Sequence, residues 1–425
     1  MGGSGTVTGT LTGTQRLRHF TLPNGLRVFL LPADSPFTAV VLGYGVGAAH
    51  EGPGQAGIAH LLEHLLFEDE AIAYDARLQA VGGSTNAYTS QDYTVYYARV
   101  PREAASLALE LEAARLFNLR ITEEKVAIQR QVVAEEFRQR YLNPPYADKF
   151  FWLSQAAFRG HPYQTMVIGE TPEQVLALPY EGVRAFYEAY YVPEHAVLCV
   201  AGGIEETIEA QIHSLFGGHK VGKPLPEVPS LEGLPSPQPF IQREGAVPQI
   251  AVLWAFRLPP LEHPDMPAVD ILDDFLGDPE AGYLVRQLVH KQGVASRLST
   301  YVWSLHQGGL WVIEAYLPAG IAPERYEAAL EEVLEGLRGA SLAEALAVYR
   351  PQRYYEVLAQ REKVLGRALA LIHAVLAGHL EWYEDPLAPY EVLTPETLQA
   401  VTQKYLVPER RVRLYYLPSK AGATG

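Results

Sequence analysis

The chain has 425 residues, 48% of them hydrophobic, and a formal net charge of -15. That length exceeds what one hydrophobic core serves, so two or more packed domains are expected. The acidic balance excludes nucleic-acid binding and a basic membrane-facing surface, which both need clustered Lys and Arg, and no apolar run reaches the ~18 residues of a membrane span.

Residues 1–15 are rich in Gly, Thr and Ser and lack the charged and apolar regions of a signal peptide, so they read as a disordered tail on a cytoplasmic protein. Residues 26–31 and 39–46 follow as strands, and the turn Pro23-Asn24-Gly25 signals hairpin pairing. A short helix is expected over 57–67, a strand over 94–100, and helices over 103–117 and 123–141. The single cysteine, Cys199, lies in the apolar run 196–200, which reads as a buried strand and excludes an intrachain disulfide. Six prolines between Pro224 and Pro239 mark residues 219–239 as a semi-rigid linker. Beyond it come strands at 250–256 and 310–316 and helical patterns at 323–336 and 342–376, the last expected to break or kink at Pro351.

Tyr190-Tyr191-Val192-Pro193-Glu194 returns as Tyr405-Leu406-Val407-Pro408-Glu409, each copy after a helical pattern and before an apolar run. The repeat points to a duplicated domain. The expected fold is α+β: two tandem homologous domains, residues 16–218 and 240–418, each a mixed, mostly antiparallel sheet covered by helices, with a tail at 419–425.

The chemistry concentrates in Gly57 to Phe67, which contains H-x-x-E-H, the inverse of the H-E-x-x-H zinc motif. On a helix His60 and His64 fall roughly 40° apart with Glu63 beside them, while Ile58, Leu61, Leu62, Leu65 and Leu66 form a separate apolar stripe. Two imidazoles can bind zinc while a neighbouring carboxylate serves a water at an open position, a role that falls to Glu63. A third ligand must come from another element. In the helix expected over 123–141, Glu136 is bracketed by Val132 and Val133, whereas Glu135 is flanked mainly by polar side chains. A carboxylate among apolar neighbours needs a partner, so Glu136 is the expected third ligand and Glu135 a solvated charge. His50, His161, His195 and His306 have no ligand spacing and read as surface or packing residues.

These residues resemble the pitrilysin-type zinc peptidases, whose motif is H-x-x-E-H followed by a distal glutamate, and the likeness extends through Leu22 to Val28, Gly82 to Ser90 and Val132 to Phe137. The resemblance implies a zinc-dependent endopeptidase acting on peptides or unfolded segments. It also implies that Asn86, Ala87 and Tyr88 form an edge strand that pairs with extended substrate, a mode that holds any sequence in register through its main chain. Two departures stand out. Gln129 occupies a position, seven before the distal ligand, that is often acidic in the family, which bears on tuning more than on metal binding. The family's substrate-binding Arg and Tyr of the second half align with Val289 and Ser296. The resemblance therefore implies a heterodimer, as in mitochondrial processing peptidase, with a related subunit lacking the zinc motif supplying that pair. The alternatives are a self-sufficient homodimer using Arg286, Arg297 or Tyr301, and a non-catalytic scaffold. The second-half stretch aligned with the zinc helix, Asp270-Ile271-Leu272-Asp273-Asp274, has no histidine, so no second zinc site is expected and Asp273 and Asp274 read as helix-surface charges.

Overall fold

The computed structural model describes residues 17–68, 72–231, 234 and 236–419. The tail expected at 1–15, all but Ser419 of the tail expected at 419–425, and part of the linker lie outside the described residues. Two compact units emerge. The first comprises Met1–Phe137, Met166–Glu227 and Leu358–Pro386; the second comprises Arg138–Thr165, Val228–Val357 and Leu387–Gly425.

The first unit is built on a six-stranded sheet with β1 (Arg18–Thr21), β2 (Arg27–Pro32), β3 (Phe37–Tyr44), β4 (Ser84–Thr89), β5 (Thr94–Pro101) and β6 (Ala196–Gly202) in the order β1-β2-β6-β3-β5-β4. Only β2 and β6 pair parallel; the other neighbours are antiparallel. The central strands are apolar on both faces because both are covered. Phe29, Leu31, Ala39, Val41 and Cys199 pack against Leu371, Ile372 and Val375 of the helix Val364–Leu376, while the alternate residues Val28, Leu30, Val40 and Leu42 are equally buried on the other side. Each Val, Leu, Ile or Phe among them contributes about 1.5–3 kcal/mol of burial. β4 closes one end of the sheet, with a strand partner on one side only.

The second unit repeats the plan with β7 (Phe240–Gly245), β8 (Ala251–Leu258), β9 (Arg297–Leu305), β10 (Gly308–Tyr316) and β11 (Arg411–Pro418) in the order β7-β11-β8-β10-β9. Here β11 takes the part of β6: it pairs parallel with β7, antiparallel with β8, and follows a helix and a single tight turn at Pro408–Arg410, as β6 follows one at Pro193–His195. The repeated pentapeptide is that turn. Trp254, Phe256, Trp311 and Ile313 face the helices Met266–Gly277, Pro323–Gly339 and Pro395–Tyr405.

The sheets respect the expected linker, but the units do not follow two consecutive segments. The C-terminal helix Val364–Leu376 covers the first sheet, and the N-terminal helix Lys149–Ala157 belongs to the second unit, where Lys149 Nζ lies 2.6 Å from the Glu314 carboxylate. Local periodicity specifies a helix and its apolar face, not the sheet it covers. Pro351 does not break its helix. The helix Ala343–Ala359 runs through it, and the interruption falls before Val364. Pro351 and Ala347 are both exposed, so the carbonyl that loses its hydrogen bond to the proline faces solvent. No helix among the described residues is long and apolar enough to cross a membrane.

Candidate metal centre

The motif helix spans Ile58–Leu65, with Ile58, Leu61, Leu62 and Leu65 buried as the apolar stripe requires. Its start is held by Glu51, whose carboxylate accepts hydrogen bonds from the Gly57 N–H at 2.9 Å and the Ala59 N–H at 2.8 Å. An acid at this end satisfies amides that a helix leaves without partners and meets the positive end of its dipole. Burial pushes the Glu51 carboxyl up to about 8, against the hydrogen bonds from Ala59, Gly57 and Ile58. Gly57 sits at φ +90, and a Cβ there would come within 2.9 Å of the Ile168 carbonyl oxygen, so both backbone and space require glycine.

The histidines leave this helix toward a second one, Glu123–Phe137. His64 Nε2 lies 3.2 Å from Glu136 Oε2, and His60 Nε2 lies 3.9 Å from Glu136 Oε1. All three ligand atoms fall within 4.8 Å of one another, the one such convergence of His, Cys, Asp or Glu among the described residues. Their side chains are 12%, 24% and 15% exposed for His60, His64 and Glu136, so the cluster is shielded yet reachable. Four-coordinate zinc at about 2.0–2.1 Å sets ligand atoms about 3.3 Å apart, and two imidazoles with one carboxylate are a known catalytic donor set. These residues fit a zinc ion with one position left for solvent or substrate. Burial disfavours the charged His64 ring, but the Glu136 hydrogen bond and charge, then Glu63 and a hydrogen bond to Gln129, outweigh it and raise its pKa. The negative charge that favours a proton there also favours a divalent cation.

The apolar bracket expected around Glu136 is incomplete. Glu135 is exposed as expected, but so is Val132, at 45%; of the two bracketing valines only Val133 is buried. The Glu136 carboxylate faces the histidine pair of the motif helix. Gln129, two turns earlier, is buried and meets His64, so this departure from the family pattern puts a neutral amide behind a ligand ring.

Glu63 receives a hydrogen bond from the Thr89 hydroxyl at 2.5 Å. Thr89 and Glu51 join the site from outside the motif. A strand places neighbouring side chains on opposite faces, so Thr89 had to point away from Tyr88, and an acid a few residues ahead of a Gly-led helix is a capping signal. Asn86, Ala87 and Tyr88 lie on β4, the edge strand, where the Ala87 N–H donates to the Asn86 side chain at 2.9 Å. The Tyr88 ring turns inward, its hydroxyl 2.5 Å from His373 Nε2. His161 and His195 bond the Pro229 and Tyr190 carbonyls, and His50 bonds Gly47.

In the second unit Asp273 and Asp274 are not free surface charges. Asp274 pairs with Arg353 at 2.6 Å, Asp273 accepts from the Trp311 indole at 2.8 Å, and Asp270 accepts from the Tyr390 hydroxyl at 2.7 Å. Burial raises all three carboxyls, that of Asp273 to about 6 and that of Asp274 to about 7. Arg353 comes from the helix Ala343–Ala359, the counterpart in chain order of the helix that carries Glu136. A guanidinium thus faces acids where the first unit sets a carboxylate against imidazoles. Val289 is partly buried against the core, and Ser296 is exposed with its hydroxyl on the Tyr316 carbonyl. Tyr301 donates to buried Glu314 at 3.0 Å, whereas Arg286 and Arg297 are exposed.

Residues 28–171 match the family described as insulinase (peptidase family M16), and residues 177–345 match the M16 inactive domain. Similar curated proteins include the zinc protease PqqE of Helicobacter pylori, 27% identical across 76% of this chain and 75% of that protein. An uncharacterized zinc protease of Mycobacterium leprae is 32% identical across 76% of this chain and 74% of its own length. Among solved structures, a protease from Helicobacter pylori superposes with a TM-score of 0.87 at 25% identity, covering 95% of this chain and all of that one (100%). Pitrilysin shares the fold at a TM-score of 0.74 and 17% identity, over 96% of this chain and 45% of its own.

Proposed function

The chain belongs to the M16, pitrilysin-type peptidase family, and from that premise we propose that it is a zinc-dependent endopeptidase with His60, His64 and Glu136 as ligands and Glu63 as general base. The observation that carries this reading is the convergence of two imidazoles and one carboxylate from two helices, 3.2 and 3.9 Å apart, beside a carboxylate of their own helix. A bound zinc ion supplies Lewis-acid polarisation of the scissile carbonyl and of water. Glu63 takes the proton of the attacking water and returns it to the leaving amine, with Thr89 fixing the direction of its carboxylate. The edge of β4 without a strand neighbour, at Asn86, Ala87 and Tyr88, holds the peptide as an added strand, which suits unfolded segments of varied sequence.

The catalytic constellation is completed by a related subunit. With Val289 and Ser296 at the positions of the family's Arg and Tyr, this chain has no such pair to bind substrate and stabilise the carbonyl oxygen as it gains charge. Of the substitutes considered, Tyr301 is committed to Glu314, which leaves Arg286 and Arg297 for a self-sufficient form. The test is hydrolysis of a quenched fluorescent peptide by the zinc-loaded chain, alone and mixed with an M16 protein from the same source that lacks the zinc motif. Cleavage only in the mixture, abolished by Glu63→Gln in this chain, is the expected result. Cleavage by this chain alone would overturn the heterodimer, and none in either case would favour a scaffold.

A further inference from the structure

The edge strand β4 is gripped from both faces of its sheet at two successive residues. Thr89 points to the motif helix and donates to Glu63 at 2.5 Å. Tyr88 points to the opposite face, where its hydroxyl lies 2.5 Å from His373 Nε2 and its ring meets the imidazole edge-on, centroids 6.0 Å apart. Tyr93 leans on the same imidazole at 5.3 Å, and Tyr93 and Tyr97 flank Tyr88. His373 belongs to the helix Val364–Leu376, which comes from the C-terminal half of the chain but packs in the first unit. That helix is otherwise an apolar cover: among its side chains only Arg367 and His373 are polar, and Leu371, Ile372 and Val375 lie in the core.

An edge strand has a ladder on one side only, so its position depends on side-chain anchors more than that of an interior strand does. An added peptide needs that strand in register, and a general base needs its carboxylate aimed to within a fraction of an ångström. One short strand serves both ends here.

We propose that His373 is a positioning residue for hydrolysis: from the C-terminal half it anchors the Tyr88 phenol, fixing both the edge on which the peptide adds and the Thr89 hydroxyl that aims Glu63. The proposal rests on the reading that β4 receives the substrate. A second half without a zinc site then has a part in the reaction centre, through a helix that crosses into the first unit.

The test uses the full zinc-loaded chain as wild type, His373→Ala, His373→Gln and Tyr88→Phe, each mixed with the M16 protein that lacks the zinc motif. Amide hydrogen exchange is followed by mass spectrometry, and binding of a fluorescein-labelled mixed-sequence peptide by anisotropy. Expected for His373→Ala and Tyr88→Phe are exchange over 84–89 about tenfold faster, unchanged exchange in β3 and β6, unchanged zinc content and about tenfold weaker peptide binding. His373→Gln keeps a hydrogen-bonding group near the phenol and recovers part of both. Exchange over 84–89 within about twofold of wild type in both Tyr88→Phe and His373→Gln, with His373→Ala also unchanged or unfolded, would overturn the anchor. A wild-type mixture that binds no peptide would remove the reading of β4 itself and the positioning role with it, while exchange would still report whether the anchor exists.

Discussion

At the scale of single residues, the site works by setting each charge against a defined partner. Thr89 illustrates how little is needed, since one hydroxyl holds the carboxylate of Glu63, the proposed general base. Replacing it with valine keeps the shape and removes the donor, so kcat in the active assembly should fall about tenfold, or ~1.4 kcal/mol, with zinc content unchanged. A Thr89→Val enzyme with full kcat would show that Glu63 is aimed by something else. Glu51 makes a second prediction, because its carboxyl binds a proton more tightly in the fold, at about 8, than at its ordinary 4.5. A raised folded pKa contributes stability that is complete below the unfolded value and is lost as pH rises through the folded one. Melting midpoints measured from about pH 5 to about pH 9 should therefore fall more steeply for wild type than for Glu51→Gln. Parallel profiles would contradict the assignment.

At the scale of elements, the two units solve one architectural problem in different ways. Each sets a helix after its central hairpin strand against a second helix further along, but one pair converges through imidazole and carboxylate and the other is joined by Arg353 and the acids Asp270 and Asp274. Methionine at 353 should keep the packing while leaving those acids without their cation. Partly exposed pairs contribute less than buried ones, so a loss of about 2 kcal/mol is expected in denaturant unfolding, with zinc content unaffected. Loss of zinc in Arg353→Met would mean that the two clusters are coupled. Much of this level was legible in advance. The motif helix, the flanking strands and the duplicated turn follow from spacing, because apolar periodicity and Gly/Pro punctuation are local signals. Asp273 and Asp274 were misread because their partners, Trp311 and Arg353, lie far along the chain and no local pattern announces them. The apolar bracket expected around Glu136 is half present, since Val132 is exposed, and its carboxylate faces His60 and His64 on another helix, partners that no local pattern announces.

At the scale of the whole molecule, only one of the two homologous halves carries a cluster able to hold a metal ion among the described residues. The halves remain interleaved, since residues 138–165 of the N-terminal half belong to the second unit and 358–386 of the C-terminal half to the first. Sequence order alone did not reveal the exchange, because the linker separates the strands correctly while two helical segments cross over. A consequence follows for cutting the chain. A fragment ending at the linker would lack the helix Val364–Leu376 and expose Phe29, Val41 and Cys199 on the first sheet, so it should not fold as a soluble monomer. A well-dispersed NMR spectrum of residues 16–218 as a monomer would contradict this. The central claim, however, is that His60, His64 and Glu136 hold one zinc ion, and anomalous diffraction at the zinc edge tests it most directly. The account predicts a single strong peak between the two Nε2 atoms and the Glu136 carboxylate, absent in His64→Ala crystals; a zinc-loaded wild-type crystal with no peak there would contradict it.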